Sequence, residues 1–484
     1  MLLGFVILYL IASIAIGMYA ATRVRNVNDY YAAGRQLPIW IVVAMVFATW
    51  FGAETVLGIP ATFMEEGLAG LASDPFGASL CLILFGLFFA RRLYRLNLLT
   101  IADYYRQRYD RRVELVTGVA IALSYLGWVS AQITALGLVF NVLSDGAIAK
   151  AQGILIGASI VLMYTIYGGM WSVALTTFFQ MIVIVLGLAY IAWLMVGQAG
   201  GIAPVVEHAA ANAKLDLLPE LSTVAMLAFV SALLTMGFGS IPQQDVFQRA
   251  NSAKNEQVAV WGTVLGGLAY LLFAAVPIYM AYSAHFIDPA LVARWIGVDA
   301  EMILPELVRG DFPLFAQVIF YGALLAVIMS TASGTLLAPS VTLAENLLKP
   351  WLNRRQEMDG PGLLRLTRWV VGVFSVLVTL YALWSLEHAT TIHQMVENAY
   401  KVTLVLAFVP LVAGLYWRRA STRGAYLAIA FGLATWIPLE ILAPEGEGLM
   451  PPQFAGFLAA CAGMLLGSFA GGARRGGQGH EAPP

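Results

Sequence analysis

Charge is scarce in this sequence. Of 484 residues only 11% are Asp, Glu, Lys or Arg, and 60% are hydrophobic, whereas an ordinary soluble domain is about 25% charged. That deficit excludes a soluble globular protein and marks a chain that crosses a membrane repeatedly. The 27 basic and 28 acidic residues almost cancel, so neither nucleic acid nor another polyanionic partner is indicated. Cysteine is nearly absent. Cys81 and Cys461 both lie inside apolar runs, which excludes a disulfide framework or a thiolate metal site. Long polar connections are missing as well, leaving no room for a soluble catalytic or signalling domain. The spans hold no Ser–His, HExxH, paired-carboxylate or phosphate-loop arrangement, so an enzyme is not expected. No cofactor and no protein partner is implied.

What remains is apolar sequence in lengths that suit a bilayer, about 20 residues per helical crossing. Thirteen spans are expected, near 2–21, 38–63, 71–90, 113–143, 150–167, 171–197, 222–241, 257–283, 313–340, 364–386, 395–417, 422–443 and 450–471. The first lacks a basic region ahead of it and is read as a retained helix. Of the basic residues, 22 fall in connections on one side, Lys150, Lys214, Arg294 and Arg309 on the other, and Lys401 within a span. Positive residues favour the cytoplasm, which places the N-terminus outside and the C-terminus inside. The connections near 198–221 and 284–312 are weakly amphipathic and expected across the outer face. The Gly- and Arg-rich tail at 474–484 is expected to be disordered.

One stretch breaks the apolar pattern most sharply: Phe47-Ala-Thr-Trp-Phe-Gly-Ala-Glu-Thr-Val-Leu-Gly-Ile-Pro60. Gly52, Gly58 and Pro60 interrupt a helix, and irregular backbone at membrane depth must be buried in protein or line a wet cavity. Glu54 there is either a functional carboxylate or the partner of a neighbouring cation. Freed carbonyls suit a small hard cation, while Trp50 and Glu54 can face an organic solute. Five spans later Leu234-Thr-Met-Gly-Phe-Gly-Ser-Ile-Pro-Gln-Gln244 repeats the punctuation. Five is odd, so the two units have opposite topology, the arrangement that brackets a transporter site. In the ninth span Ser330, Thr331, Ser333 and Thr335 crowd six positions. Such hydroxyls either bond their own helix's carbonyls or offer oxygens to an alkali cation.

At this point the sequence resembles the sodium/solute symporters. The resemblance rests on Tyr31-Ala-Ala-Gly-Arg35, Gly52-Ala-Glu-Thr-Val-Leu-Gly-Ile-Pro60, Tyr167-Gly-Gly-Met-Trp-Ser-Val-Ala-Leu-Thr-Thr-Phe-Phe-Gln180, Gln244-Asp-Val-Phe-Gln-Arg-Ala-Asn-Ser-Ala-Lys-Asn255 and Met329-Ser-Thr-Ala-Ser333. It implies an all-α membrane protein with a LeuT-type core of two inverted five-helix repeats, near 38–197 and 222–417, and peripheral helices at 2–21 and 422–471. By position it implies a sodium site made of the carbonyls of Ala48, Phe51 and Val327 and the hydroxyls of Ser330 and Thr331. Thr176-Thr177 stands where many members have Thr-Asp, so proton coupling stays open beside sodium coupling. The motifs resemble the choline-carrier branch most, and Trp50 and Trp128 match two aromatic positions of its cation box. Ala78 and Gln243 replace expected aromatics. Trp50, Glu54, Thr55, Trp128, Phe238 and Gln243 are thus the expected substrate contacts, for an amino acid or polar amine. A solute sensor on the same fold is the rival reading.

Other polar residues carry simpler expectations. Asp74-Pro75 reads as an N-cap followed by Pro at the first helical position. Glu397 and Lys401 are spaced for an ion pair along one helix face. His388 and His393 are expected in solvent at the outer end. Asp245, Arg249 and Lys254 read as an inner-gate ion-pair network.

Overall fold

Helix is the one open-ended structure these apolar runs can hold across a bilayer, because it satisfies every backbone group within its own segment. The computed structural model describes residues 2–353, 358–388, 391–443 and 448–470, and the described chain is helical throughout most of its length. The tail at 474–484 lies outside the described residues. The elements that matter below are α1 (Leu2–Ala21), α2 (Ile39–Trp50), α3 (Glu54–Glu66), α4 (Leu68–Arg95), α5 (Arg111–Leu143), α6 (Lys150–Gln198) and α7 (Thr223–Gly239). They continue as α8 (Gln244–Asn251), α9 (Glu256–Ile287), α10 (Leu314–Leu352), α11 (Gly360–Ser385), α12 (Ile392–Tyr416), α13 (Thr422–Leu442) and α14 (Pro452–Ala470).

Two of these pairs are broken spans. α2 and α3 meet at 58°, and α7 and α8 at 45°, at the two places where the sequence clusters glycine with proline. The core forms around the first break. α5 and α10, each with more than two thirds of its apolar window buried, pack against one another, while α6 backs α10 and α12 backs α5. α13 and α14 pair with each other at the periphery. Leu186, Trp193, Leu272 and Trp369 keep well over half of their surface exposed, and for a chain in lipid that is the ordinary environment of an outer helix face.

α6 runs for 49 residues where two spans were expected. A straight helix of that length would reach about 74 Å, more than twice a ~30 Å hydrocarbon core. Gly169 divides it. Its φ of 48° and ψ of −141° leave helical geometry, and a Cβ there would lie 2.6 Å from the Tyr30 carbonyl oxygen. Tyr30 in turn donates its hydroxyl to the Ile166 carbonyl at 3.1 Å, so the Tyr30–Arg35 segment is clamped against the turn. The short helices Ile202–Ala211, Pro289–Trp295 and Ile303–Asp311 occupy the two long connections.

Gly169→Ala is therefore expected to destabilise the protein by about 1–3 kcal/mol, the usual cost of a residue forced into a sparsely populated backbone region. Gly197→Ala, where a Cβ meets nothing within 4 Å, serves as the control. Equal melting temperatures for the two purified variants would show that Gly169 does not set the turn.

Candidate functional site

The break between α2 and α3 frees two carbonyls. In an unbroken helix the Ala48 oxygen would accept from the Gly52 N–H and the Phe51 oxygen from the Thr55 N–H. Instead Gly52 donates to Trp50 at 2.7 Å and Thr55 to Gly52 at 3.2 Å. The Thr331 hydroxyl of α10 fills the gap, donating toward Ala48 O at 3.1 Å and Phe51 O at 3.3 Å. Ser330 Oγ lies 2.8 Å from Val327 O. All five residues of the expected sodium set are fully buried, and Thr331 joins Ala48 and Phe51 of the break to α10, the helix that carries Val327 and Ser330. Ser333 and Thr335, like Ser330, bond carbonyls of their own helix, at 3.1 and 2.8 Å, so Thr331 alone of the four hydroxyls crosses to α2. Thr177 is fully buried and its hydroxyl has no hydrogen-bond partner.

Just past the break the chain places a carboxylate. Glu54 is fully buried, accepting from Trp128 Nε1 at 3.3 Å and from Gln132 Nε2 at 2.5 Å. Gln132 also accepts the Ala53 N–H at 2.9 Å, so one amide holds both the carboxylate and the backbone that carries it. A Cβ on Gly52 would collide with both side chains, which is why glycine stands at the bend. Trp50 stacks on Trp128 with centroids 4.6 Å apart. Tyr400 of α12 meets both indoles edge-on at 5.3 and 5.6 Å. Trp50 and Glu54 are thus joined through Trp128, although the bend falls between them. Thr55 donates to Trp50 O at 2.7 Å and lies 3.3 Å from the Tyr270 hydroxyl of α9.

Two expectations fail here. Asp74 caps nothing: it is buried in the kink at the start of α4, and one of its oxygens accepts the Tyr270 hydroxyl. Cap chemistry loses to a buried partner, and Tyr270 links Asp74 to Thr55, the residue after Glu54, a connection that the spacing of the spans did not reveal. Phe238 is not brought to the cluster. It stacks on Phe408 at 4.7 Å and faces Phe457, on the side of α7 toward the peripheral helices. Gln243 is buried nearby, with its amide engaged by Ser124 at 2.9 Å and Thr403 at 3.3 Å, four residues below Trp128 on α5. Sequence reasoning missed Gln132, Tyr270 and Tyr400. Gln132 was findable, as an amide one turn from Trp128 on the same helix face; a lone tyrosine in an apolar span carries no such signal.

Above the cluster, toward the expected outer end, a cavity of about 700 Å³ opens. Glu65, Glu66, Asp299, Glu301 and Glu397 line it, with Lys150 and His393 as the basic side chains; Lys150 lies 3.5 Å from Asp299. Burial, and then the adjacent Asp299 carboxylate, pushes the Glu301 carboxyl up to about 7. His393 is not at a solvated loop: it is half-buried at the start of α12, against Gly58, with its ring 3.4 Å from Ser73 Oγ. Below the cluster Asp245 and Arg249 form the expected pair, fully buried at 2.9 Å with Tyr125 on the carboxylate; Lys254 is exposed and takes no part among the described residues. Lys401 lies 3.9 Å from Glu440 of α13.

A buried, polar centre at a helix break, with a cavity on one side of it and a buried ion pair on the other, is the arrangement of an all-helical membrane transporter. The chain belongs to the sodium:solute symporter family, whose pattern matches residues 30–432. It is 26% identical to the human high affinity choline transporter 1, over 89% of this chain and 75% of that protein. It is likewise 26% identical to the osmoregulated proline transporter OpuE of Bacillus subtilis, over 95% and 93%. Among solved structures it is similar to a Na+-coupled sialic acid symporter in a substrate-bound outward-open state, at 18% identity and a TM-score of 0.79 over 97% of this chain and 98% of that one. A nucleobase-cation-symport-1 family transporter in a closed conformation follows at 16% and 0.61, over 91% and 95%. The fold is the LeuT type, and the protein is a secondary active symporter of the membrane, not an enzyme.

Removing the amide that holds Glu54 tests the geometry. Gln132→Leu leaves a buried carboxylate short of one charge-assisted donor and the Ala53 N–H short of its acceptor, at about 1.5–3 kcal/mol for a hydrogen bond to a charged group. A clearly lower melting temperature of the purified protein is expected. An unchanged melt would mean that Glu54 does not depend on Gln132.

Proposed function

We propose that this protein is a sodium-driven importer of a small organic solute with a cationic nitrogen, an amino acid or polar amine, working by alternating access. Its N-terminus faces outside and its C-terminus the cytoplasm of the cell membrane. The repeats are residues near 38–197 and 222–417, with α2–α3 and α7–α8 as their corresponding broken helices. The observation that carries the reading is Glu54: a carboxylate fully buried among indoles and three residues beyond the carbonyl of Phe51. Indole faces attract a cationic nitrogen and the carboxylate pairs with it. Choline and proline, named for two relatives, both carry such a nitrogen.

Sodium takes the neighbouring oxygens. Carbonyls of Ala48, Phe51 and Val327 with hydroxyls of Ser330 and Thr331 make five neutral donors, which suit a hard monovalent ion held weakly enough to release. Coupling follows from shared backbone. Sodium ties the end of α2 to α10, and Trp50 and Glu54 lie on either side of the same bend, so fixing that bend fixes the solute's contacts. The stacked indoles part or shift as solute enters.

Uptake by proteoliposomes, with and without an inward sodium gradient, tests this directly. Thr331→Ala is expected to raise the sodium concentration for half-maximal uptake by about 5- to 150-fold, the equivalent of about 1–3 kcal/mol for a lost polar partner, while Thr331→Ser keeps the oxygen and stays near wild type. Uptake that ignores sodium and follows a proton gradient would overturn the assignment.

A further inference from the structure

Glu54 is not the only carboxylate in the centre. Asp74 reaches the same place from α4: Tyr270 donates to one of its oxygens and lies 3.3 Å from Thr55, the residue next to Glu54. The other Asp74 oxygen has no hydrogen-bond partner, and neither do Trp50 Nε1 and the Tyr400 hydroxyl in the adjoining aromatic cluster. All three residues are at most 1% exposed. Every donor on Glu54 is neutral, and neither carboxylate enters an ion pair among the described residues. A buried carboxylate is stabilised either by a compensating charge close by or by holding a proton. The sodium oxygens belong to Ala48, Phe51 and α10 and include neither Glu54 nor Asp74.

We propose that Glu54 and Asp74 are the two anchors of a cargo with two cationic nitrogens, a linear diamine, whose alkyl chain lies along the indole and tyrosine faces. This rests on the reading above of a carrier for a solute with a cationic nitrogen. The cavity at the outer end favours the same class. Five acidic side chains line it against Lys150 and His393, and attraction into such a focused field grows with the charge of the ligand. Two of its lining residues adjoin the segments that carry the pair: Gly58 is four residues on from Glu54, and His393 lies against Gly58 and touches Ser73, the neighbour of Asp74. A monoamine or a zwitterionic amino acid fills one anchor and leaves the free Asp74 oxygen without a partner.

The test uses the full-length protein at saturating sodium and a series of α,ω-diaminoalkanes of about three to six carbons, each against the monoamine of equal length. At least one diamine is expected to bind at least tenfold more tightly than its monoamine, a difference that needs no variant to read. Asp74→Asn, which keeps an oxygen for Tyr270, is expected to bring that diamine down to the monoamine's affinity at an unchanged melting temperature. Sodium-driven uptake of a monoamine or amino acid with no diamine preference would overturn this inference and leave the proposed function standing. Uptake of a monoamine together with protons would also overturn it, assigning Asp74 to proton carriage. If no solute with a cationic nitrogen binds or is carried, both readings fall.

Discussion

The structure depends on one broken helix. A membrane has no water to satisfy the carbonyls that a bend exposes, so the bend between α2 and α3 can exist only where other groups reach it. Thr331 reaches the Ala48 and Phe51 carbonyls from α10, and Gln132 reaches the Ala53 N–H from α5. This requirement explains why α5 and α10 are the most buried of the continuous spans described. It also explains why polar side chains otherwise costly in lipid are concentrated in the middle of the bundle.

The same requirement links ion and solute. Groups that stabilise the bend are those an ion or a solute can replace, so occupancy and backbone geometry are coupled without any long-range relay. Thr331 spans two freed carbonyls where the proposed sodium would sit. Glu54 is held by two neutral donors where a cationic nitrogen would pair. A centre satisfied only by neutral groups is ready to exchange them for charged ligands, and this is how a carrier keeps a site both stable and reversible.

The two ends of the bundle differ in kind. On the expected outer side, carboxylates from α3, α12 and the 284–312 connection surround an open cavity. On the other, the Asp245–Arg249 pair with Tyr125 is buried and close-packed. Alternating access requires such an asymmetry in each state, with one closed polar layer and one hydrated approach.

Much of this was legible from residue pattern. Membrane class followed from the lack of charge, since no soluble core is that apolar. The two breaks followed from glycine and proline inside apolar runs, and the hydroxyl cluster pointed to α10 because four such side chains in six positions exceed what helix self-bonding needs. The sodium set followed from family resemblance, and of its two hydroxyls Thr331 is the one that reaches the freed carbonyls of Ala48 and Phe51. Only the tertiary structure decided the rest. Asp74 reads as a cap in one dimension, because Asp–Pro is ordinary helix-start chemistry; its partner Tyr270 lies 196 residues away. Phe238 reads as a contact because it lies at a break, but the rotation of α7 turns it toward Phe408. Local spacing determines which residues share a helix face. Which faces meet depends on how the spans are assembled, and that is where Gln132, Tyr270 and Tyr400 entered the site.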